Sequence, residues 1–234
     1  MNKQGKDGIE WCDYTWNPVT GCLHGCPYCY AKAMYHRFNK SFEPMFNPKK
    51  LDEPGKVKKP SKIFVVSAGD LFGEWVPDEW IENVFSACKR ADYHQYLFLT
   101  KNPYNYSKIY RSYNDYRCNM WFGATVTNQD DMQNKGYDLF CATGDDQKKR
   151  AKRFLSIEPL LGEINEITLR NVQFLDWVII GQQTGAGAVP PKPEWVQSII
   201  DQCKAAGVPV FVKSPLYEQF SIQEWPEGLK GEEL

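Results

Sequence analysis

Three cysteines, Cys22, Cys26 and Cys29, fall within Gly21-Cys22-Leu23-His24-Gly25-Cys26-Pro27-Tyr28-Cys29-Tyr30, spaced C-x3-C-x2-C. Thiols gathered this tightly in a glycine- and proline-punctuated loop usually hold a metal or an iron–sulfur cluster. Three thiolates on a [4Fe–4S] cluster leave one iron open to bind and activate a ligand. A fully thiolate-capped cluster suits electron transfer or bracing a fold. Two other readings stand beside the open cluster. One is a structural zinc site, with His24, His36 or Cys12 as fourth ligand, in a module that interacts with nucleic acid. No second ligand pair follows at zinc-finger spacing. The other is an electron-transfer protein, which leaves the polar strand ends described below without a purpose.

The elements around the loop read as strand, cysteine loop, helix. Residues 9–20 form a short first strand and its exit, closed by Asn17-Pro18, and 30–38 have helical composition without a breaker. Residues 39–61, rich in proline and lysine, read as an irregular surface excursion. Ile63-Phe64-Val65-Val66 is an apolar run typical of a strand buried on both faces. Further strands are expected at 96–100, 121–126, 153–157, 177–180 and 208–212. Helices are expected at 77–90, from 102 through 110, over a polar region at 129–151, and at 193–206. Alternating strands and helices predict an α/β fold, a parallel (β/α) partial TIM barrel of about six to seven strands in one domain over residues 1–234.

Such a barrel gathers its chemistry at the C-terminal ends of the strands. That rim collects Ser67, Gly69, Asp70, Thr100, Lys101, Thr125, Thr127, Asn128, Ser156, Glu158, Gly181, Gln182 and Lys213. Singly, each is a cap or turn residue; together they suit a small zwitterionic ligand. The charge run Lys148–Arg153 reads as solvated. Cys88, Cys118, Cys141 and Cys203 read mostly as buried small apolar residues.

A net charge of −1 does not argue for nucleic acid or a membrane surface. The chain has no apolar stretch of membrane-spanning length and no signal-peptide-like start, so a cytoplasmic protein without disulfides is expected.

The cysteine spacing, with Tyr28 just before the last cysteine, resembles the cluster loop of the radical S-adenosylmethionine (SAM) superfamily. Ile9-Glu10-Trp11, Thr15 to Cys22 and Cys29-Tyr30-Ala31 resemble the opening of the phage Gp37/Gp68 family, also called DUF5131. Its Gly-Asp-Leu-Phe, Thr-Val-x-Asn and Ser-x-Glu-Pro-Leu-Leu-Gly stretches are matched at 69–72, 125–128 and 156–162. The resemblance implies one [4Fe–4S] cluster on Cys22, Cys26 and Cys29, with SAM chelating the open iron. It places SAM's amino group near Gly69 and Asp70, adenine near Tyr28, and ribose or carboxylate near Thr125, Thr127, Asn128 and Glu158. Gly181 and Gln182 complete the cofactor set. The implied chemistry is reductive cleavage of SAM to a 5′-deoxyadenosyl radical that abstracts a hydrogen atom, with Tyr30, Tyr35 or Cys12 as candidate relays. It needs an external electron donor of the flavodoxin or ferredoxin type. The substrate stays open at this point: phage-family membership favours nucleic acid or a nucleotide, a peptide or small metabolite is the alternative, and a partner protein is a candidate to supply part of the site. Spore photoproduct lyase, a DNA-repair member of the superfamily, shares the spacing, as do many other members. Two features depart from the family. Gly181-Gln182-Gln183-Thr184-Gly185 lacks the carboxylate of the family's Gly-Gly-Glu-Ser-Gly, and the cysteine loop is short.

Overall fold

The computed structural model describes residues 1–5, 8–112, 119–143, 151–167, 175–185 and 187–230. Its described strands form an eight-stranded, mostly parallel open sheet in the order β1-β2-β5-β6-β7-β8-β9-β10, and β3 pairs with β4 apart from it. The chain divides into two compact units, Met1–Trp121 and Phe122–Leu234, with the boundary inside β7 (Met120–Thr125).

In the first unit, β1 (Asn2–Lys3) is an antiparallel edge on β2 (Tyr14–Trp16). It is the strand that takes the count above seven, and two polar residues give no periodic signal to predict it. Then follow β3 (Val19–Thr20), the helix Tyr30–Arg37, β4 (Met45–Phe46), β5 (Lys62–Val65), the helix Asp78–Arg90 and β6 (Gln95–Thr100). The first strand predicted over 9–20 is therefore shorter. Only 14–16 join the main sheet, and 19–20 leave it to pair with β4, a short strand inside the excursion expected to be irregular. β2 pairs in parallel with β5, and β5 with β6. Ile63, Phe64 and Val65 are all buried, as the apolar run requires. The helix Asp78–Arg90 places acids in its first turn and bases in its last, which suits its dipole, and buries Ile81, Val84, Phe85 and Cys88. Phe72, Phe85, Phe98 and Tyr106 interlock there. Phe85 stacks on Phe98 at 4.8 Å, and Phe72 meets Tyr106 at 4.4 Å. Each such buried ring is worth roughly 2–3 kcal/mol, so Phe72 anchors the loop that follows β5.

The second unit continues β7 into the helical turn Gln129–Asp131, a π-helical segment Met132–Gly136 and the helix Tyr137–Ala142. β8 (Lys152–Ile157), β9 (Trp177–Ile180), the helix Pro193–Ala206 and β10 (Val210–Val212) follow, and β9 pairs in parallel with both β8 and β10. Pro193 opens the last long helix and Gly207, at φ +71°, closes it in the left-handed conformation.

Two solvated or buried readings change. Arg153 is buried, its Nε donating to Thr143 Oγ1 at 2.6 Å, because it lies inside β8 and not on a surface run. Cys141 is exposed where a core position was expected, while Cys88 and Cys203 are buried. Cys118 and Lys148 to Arg150 lie outside the described residues. No described helix is long and apolar enough to cross a membrane.

Candidate functional site

The cysteine loop leaves β3 at Gly21, whose φ is +84° and whose added Cβ would lie 2.2 Å from the Glu43 carbonyl oxygen. Only glycine fits there. Gly21 N–H donates to Ala68 O at 2.9 Å, and an isolated parallel bridge pairs Gly21 with Gly69. An added Cβ on Gly69 would lie 2.7 Å from Gly21 O, so two glycines bring the loop against the segment after β5. At the far end, Cys29 caps the helix Tyr30–Arg37, its Sγ accepting from Lys32 N–H at 3.4 Å. The loop is thus held at both ends. Cys22, Cys26 and Cys29 are all half-buried. Burial pushes the Cys22 thiol up to about 12, a balance that cationic iron would reverse.

The segment after β5 is held as firmly. Val66 has φ +60°, rare for a β-branched residue, a strain of roughly 1–3 kcal/mol. Its N–H donates to Trp16 O at 2.7 Å, and Asn17 Oδ1 accepts from Ala68 N–H at 2.9 Å. Asp70 is buried, and its carboxylate accepts four bonds. Oδ1 takes Phe72 N–H at 2.9 Å and Thr100 Oγ1 at 2.7 Å. Oδ2 takes Lys101 N–H at 3.0 Å and His24 Nε2 at 2.8 Å. His24 also stands edge-on to Trp75 at 4.8 Å. Asp70 therefore braces the cysteine loop and the end of β6 together. Tyr28 carries the Lys101 ammonium 5.1 Å from its ring centre, and Tyr30 Oη donates to Ser67 O at 2.7 Å. Cys12 is buried, its thiol 3.8 Å from Ile9 O.

These bonds bear on the donor set. Among the described residues, no three His, Cys, Asp or Glu side chains are placed to hold a single metal ion. Zinc draws all its ligands to within roughly 2.3 Å of one point, whereas a cubane spreads them over separate irons. His24, the candidate fourth zinc ligand inside the loop, is engaged by Asp70. Three soft thiols on one doubly anchored loop are a donor set that suits an iron–sulfur cluster and zinc alike.

The second unit holds its own polar group. Thr125 and Thr127 are buried. Thr127 Oγ1 donates to Asp131 Oδ2 at 2.7 Å, and Asn128 Oδ1 caps the following turn at Asp131 N–H. Burial alone would raise the Asp131 carboxyl, but bonds from Lys135 and Thr127 outweigh it and hold the carboxyl below its usual range. Glu158, at the end of β8, pairs with Lys213, just after β10. An added Cβ on the intervening Gly181 would lie 2.8 Å from Glu158 Cδ, so the glycine makes room for that pair. A carboxylate missing from 181–185 is thus present beside Gly181, supplied by the neighbouring strand. Gln182 is half-exposed next to it.

Sequence reasoning singled out the cysteines, Asp70, Thr127, Glu158 and Lys213, but not the bonds that join them. It missed Asp131, whose signal is the Asn-x-x-Asp cap after a strand.

The fold is that of an open, mostly parallel α/β sheet with a cysteine loop beyond its first parallel strand. It is similar to spore photoproduct lyase complexed with dinucleoside spore photoproduct, with TM-score 0.54 and 10% identity over 86% of this chain and 77% of that one. It is likewise similar to a cysteine-to-alanine mutant of that lyase with the same dinucleoside, with TM-score 0.53 and 11% identity over the same shares. The family described as protein of unknown function, DUF5131, matches residues 6–230, and the chain belongs to it. No curated protein matches.

Proposed function

We propose that this chain is a radical SAM enzyme whose Cys22, Cys26 and Cys29 hold one [4Fe–4S] cluster. The observation that carries it is the C-x3-C-x2-C loop, fixed by Gly21 at one end and by the Cys29 helix cap at the other, within a fold like that of a radical SAM lyase. Cys22, Cys26 and Cys29 would hold the cluster, which when bound would supply one-electron reductive cleavage of SAM at its C5′–S bond for hydrogen-atom abstraction from substrate. The chain's residues position and shelter that chemistry. Gly21 and Gly69 fix the loop's entry. Asp70, through His24, sets its middle; with four donors on its carboxylate, Asp70 is a positioning residue and not a ligand of the amino group. Gly69 and Tyr28 remain the first unit's proposed cofactor contacts. Thr125, Thr127, Asn128, Glu158, Gly181 and Gln182 are the second unit's proposed contacts, from the resemblance. The lyase's dinucleoside ligand supports a nucleotide or nucleic-acid substrate for this chain.

The test is anaerobic reconstitution with iron and sulfide, followed by iron and sulfide counts and low-temperature EPR after reduction. The proposal expects one cubane per chain, an EPR signal that changes when SAM is added, and loss of both in Cys26→Ala. Stoichiometric zinc with no cluster would sink it.

A further inference from the structure

The ends of β8, β9 and β10 build a charge pair that the fold leaves incomplete. Ile157 lies opposite Ile180, and Ile180 opposite Val212, so Glu158, Gly181 and Lys213 each step out of a strand at one level. Gly181 N–H donates to Ile157 O at 3.1 Å and Lys213 N–H to Ile180 O at 2.9 Å, which holds that level. Two strands flanking a third lie about 10 Å apart, a gap that long side chains close only over a small residue. Gly181 is that residue, since an added Cβ would lie 2.8 Å from Glu158 Cδ. Lys213 Nζ donates to Glu158 Oε1 across it, and only 16% of the lysine and 26% of the glutamate side chain is exposed.

An ammonium has three donors and a carboxylate two acceptor oxygens. Among the described residues, this pair uses one of each. Asp70, by contrast, has its carboxylate filled by four donors. A largely desolvated pair left partly satisfied is costly, and a ligand that brings the missing acceptor lowers that cost. The pair's own charges narrow the ligand. A phosphate on Lys213 would stand beside the Glu158 carboxylate and be repelled, and Lys213 repels a cation. A neutral carbonyl oxygen meets neither obstacle and takes a charge-assisted bond. Gln182, the next residue on from Gly181, is half-exposed and neutral. In a nucleotide the neutral carbonyl oxygens belong to the base: guanine presents O6 and thymine O4 where adenine presents an amino group.

We propose that Lys213, held by Glu158 across Gly181, donates a hydrogen bond to a carbonyl oxygen of the substrate's nucleobase, so that the chain selects a carbonyl-bearing base over adenine. It rests on the nucleotide reading above. Lys213 keeps its proton and no covalent bond changes. The second oxygen of Glu158 stays available for the cofactor contact proposed for that residue, which sets the base beside the cofactor.

The experiment uses the full chain, reconstituted anaerobically, kept oxidised and saturated with SAM, so that the cofactor site is filled. Inosine and adenosine are the probes, because the first carries a carbonyl where the second carries an amino group. Each is titrated by calorimetry. The parent is expected to bind inosine about tenfold or more tighter than adenosine, and inorganic phosphate at matched ionic strength should change neither affinity. Lys213→Met should abolish the preference while iron content stays at the parent value. Lys213→Gln keeps a neutral donor and should narrow the preference severalfold; it stands in if Lys213→Met does not fold. A chain that holds no cluster overturns the reading above and this proposal with it. A loaded chain that binds neither nucleoside, binds both equally, or keeps its full preference in these variants overturns this proposal alone. So does phosphate that displaces inosine from the parent and not from Lys213→Met, which marks a phosphate seat.

Discussion

Replacing Asp70 by asparagine should weaken the cysteine loop's support without changing the side chain's shape. The Asp70 carboxylate offers two acceptor oxygens to four donors, two of them the backbone N–H groups of Phe72 and Lys101. Asparagine keeps one acceptor oxygen and turns the other site into a donor. With its nitrogen at the first site it faces Phe72 N–H; at the second it faces Lys101 N–H. A hydroxyl can rotate and an imidazole can change tautomer, but a backbone N–H can do neither. One N–H therefore loses its acceptor in either orientation. A buried unsatisfied group costs roughly 1–3 kcal/mol, and the surviving bonds lose charge assistance, for a total of about 2–4 kcal/mol. In a chain of this length each kcal/mol moves Tm by roughly 2–4 °C, so Asp70→Asn should lower Tm by roughly 4–16 °C. The assay is thermal and urea unfolding of the cluster-free chain by circular dichroism, with the urea midpoint falling at unchanged m-value. Asp52→Asn is the control. Asp52 meets Arg90 at 3.4 Å with its side chain 78% exposed, and such a pair should move Tm by no more than about 2 °C. An Asp70→Asn chain as stable as that control would refute the reasoning.

Three further outcomes are expected. His94 is buried, with Nδ1 accepting from Ser61 N–H at 3.2 Å and Nε2 meeting Pro54 O at 3.1 Å. Burial holds its pKa below the ordinary 6.5, so the unfolded chain binds the proton first and the parent should lose stability as pH falls below 6.5. His94→Gln should lack that slope in urea titrations across pH. The Asp131 carboxyl is likewise held low, but for an acid this means its stabilising effect is present above the ordinary 3.8 and lost as pH falls below it. The stability gap between parent and Asp131→Asn, measured at neutral pH, should therefore close under acid. Gly69→Ala would set a Cβ 2.7 Å from Gly21 O, opening the bridge to the cysteine loop, and should cost about 1–3 kcal/mol and lower iron retention. Gly55→Ala, with nothing within 4 Å, should stay within about 0.5 kcal/mol of the parent.

The parallel strands were legible because burial on both faces leaves continuous apolar runs, as at 63–66 and 177–180. The cysteine loop stood out because three thiols at C-x3-C-x2-C spacing among glycines and a proline form a local pattern that needs no long-range contact to be seen. What stayed hidden were polar pairings between distant positions. His24 meets Asp70 forty-six residues away, and Glu158 meets Lys213 fifty-five away. Such pairs leave no periodicity, so strand-end residues read as ligand contacts were also braces. Asp70 is the clearest case, with its carboxylate filled from within the protein. Arg153 misled for the same reason, since a run of bases looks solvated until one of them enters a strand.

The most direct test of the central claim is formation of 5′-deoxyadenosine. The reconstituted chain is reduced with dithionite in the presence of SAM, and the product is quantified by chromatography. The account predicts 5′-deoxyadenosine and methionine in equal amounts, absent when Cys26 is replaced by alanine. A fully loaded cluster that leaves SAM intact would contradict it and leave electron transfer as the role of the cysteine loop.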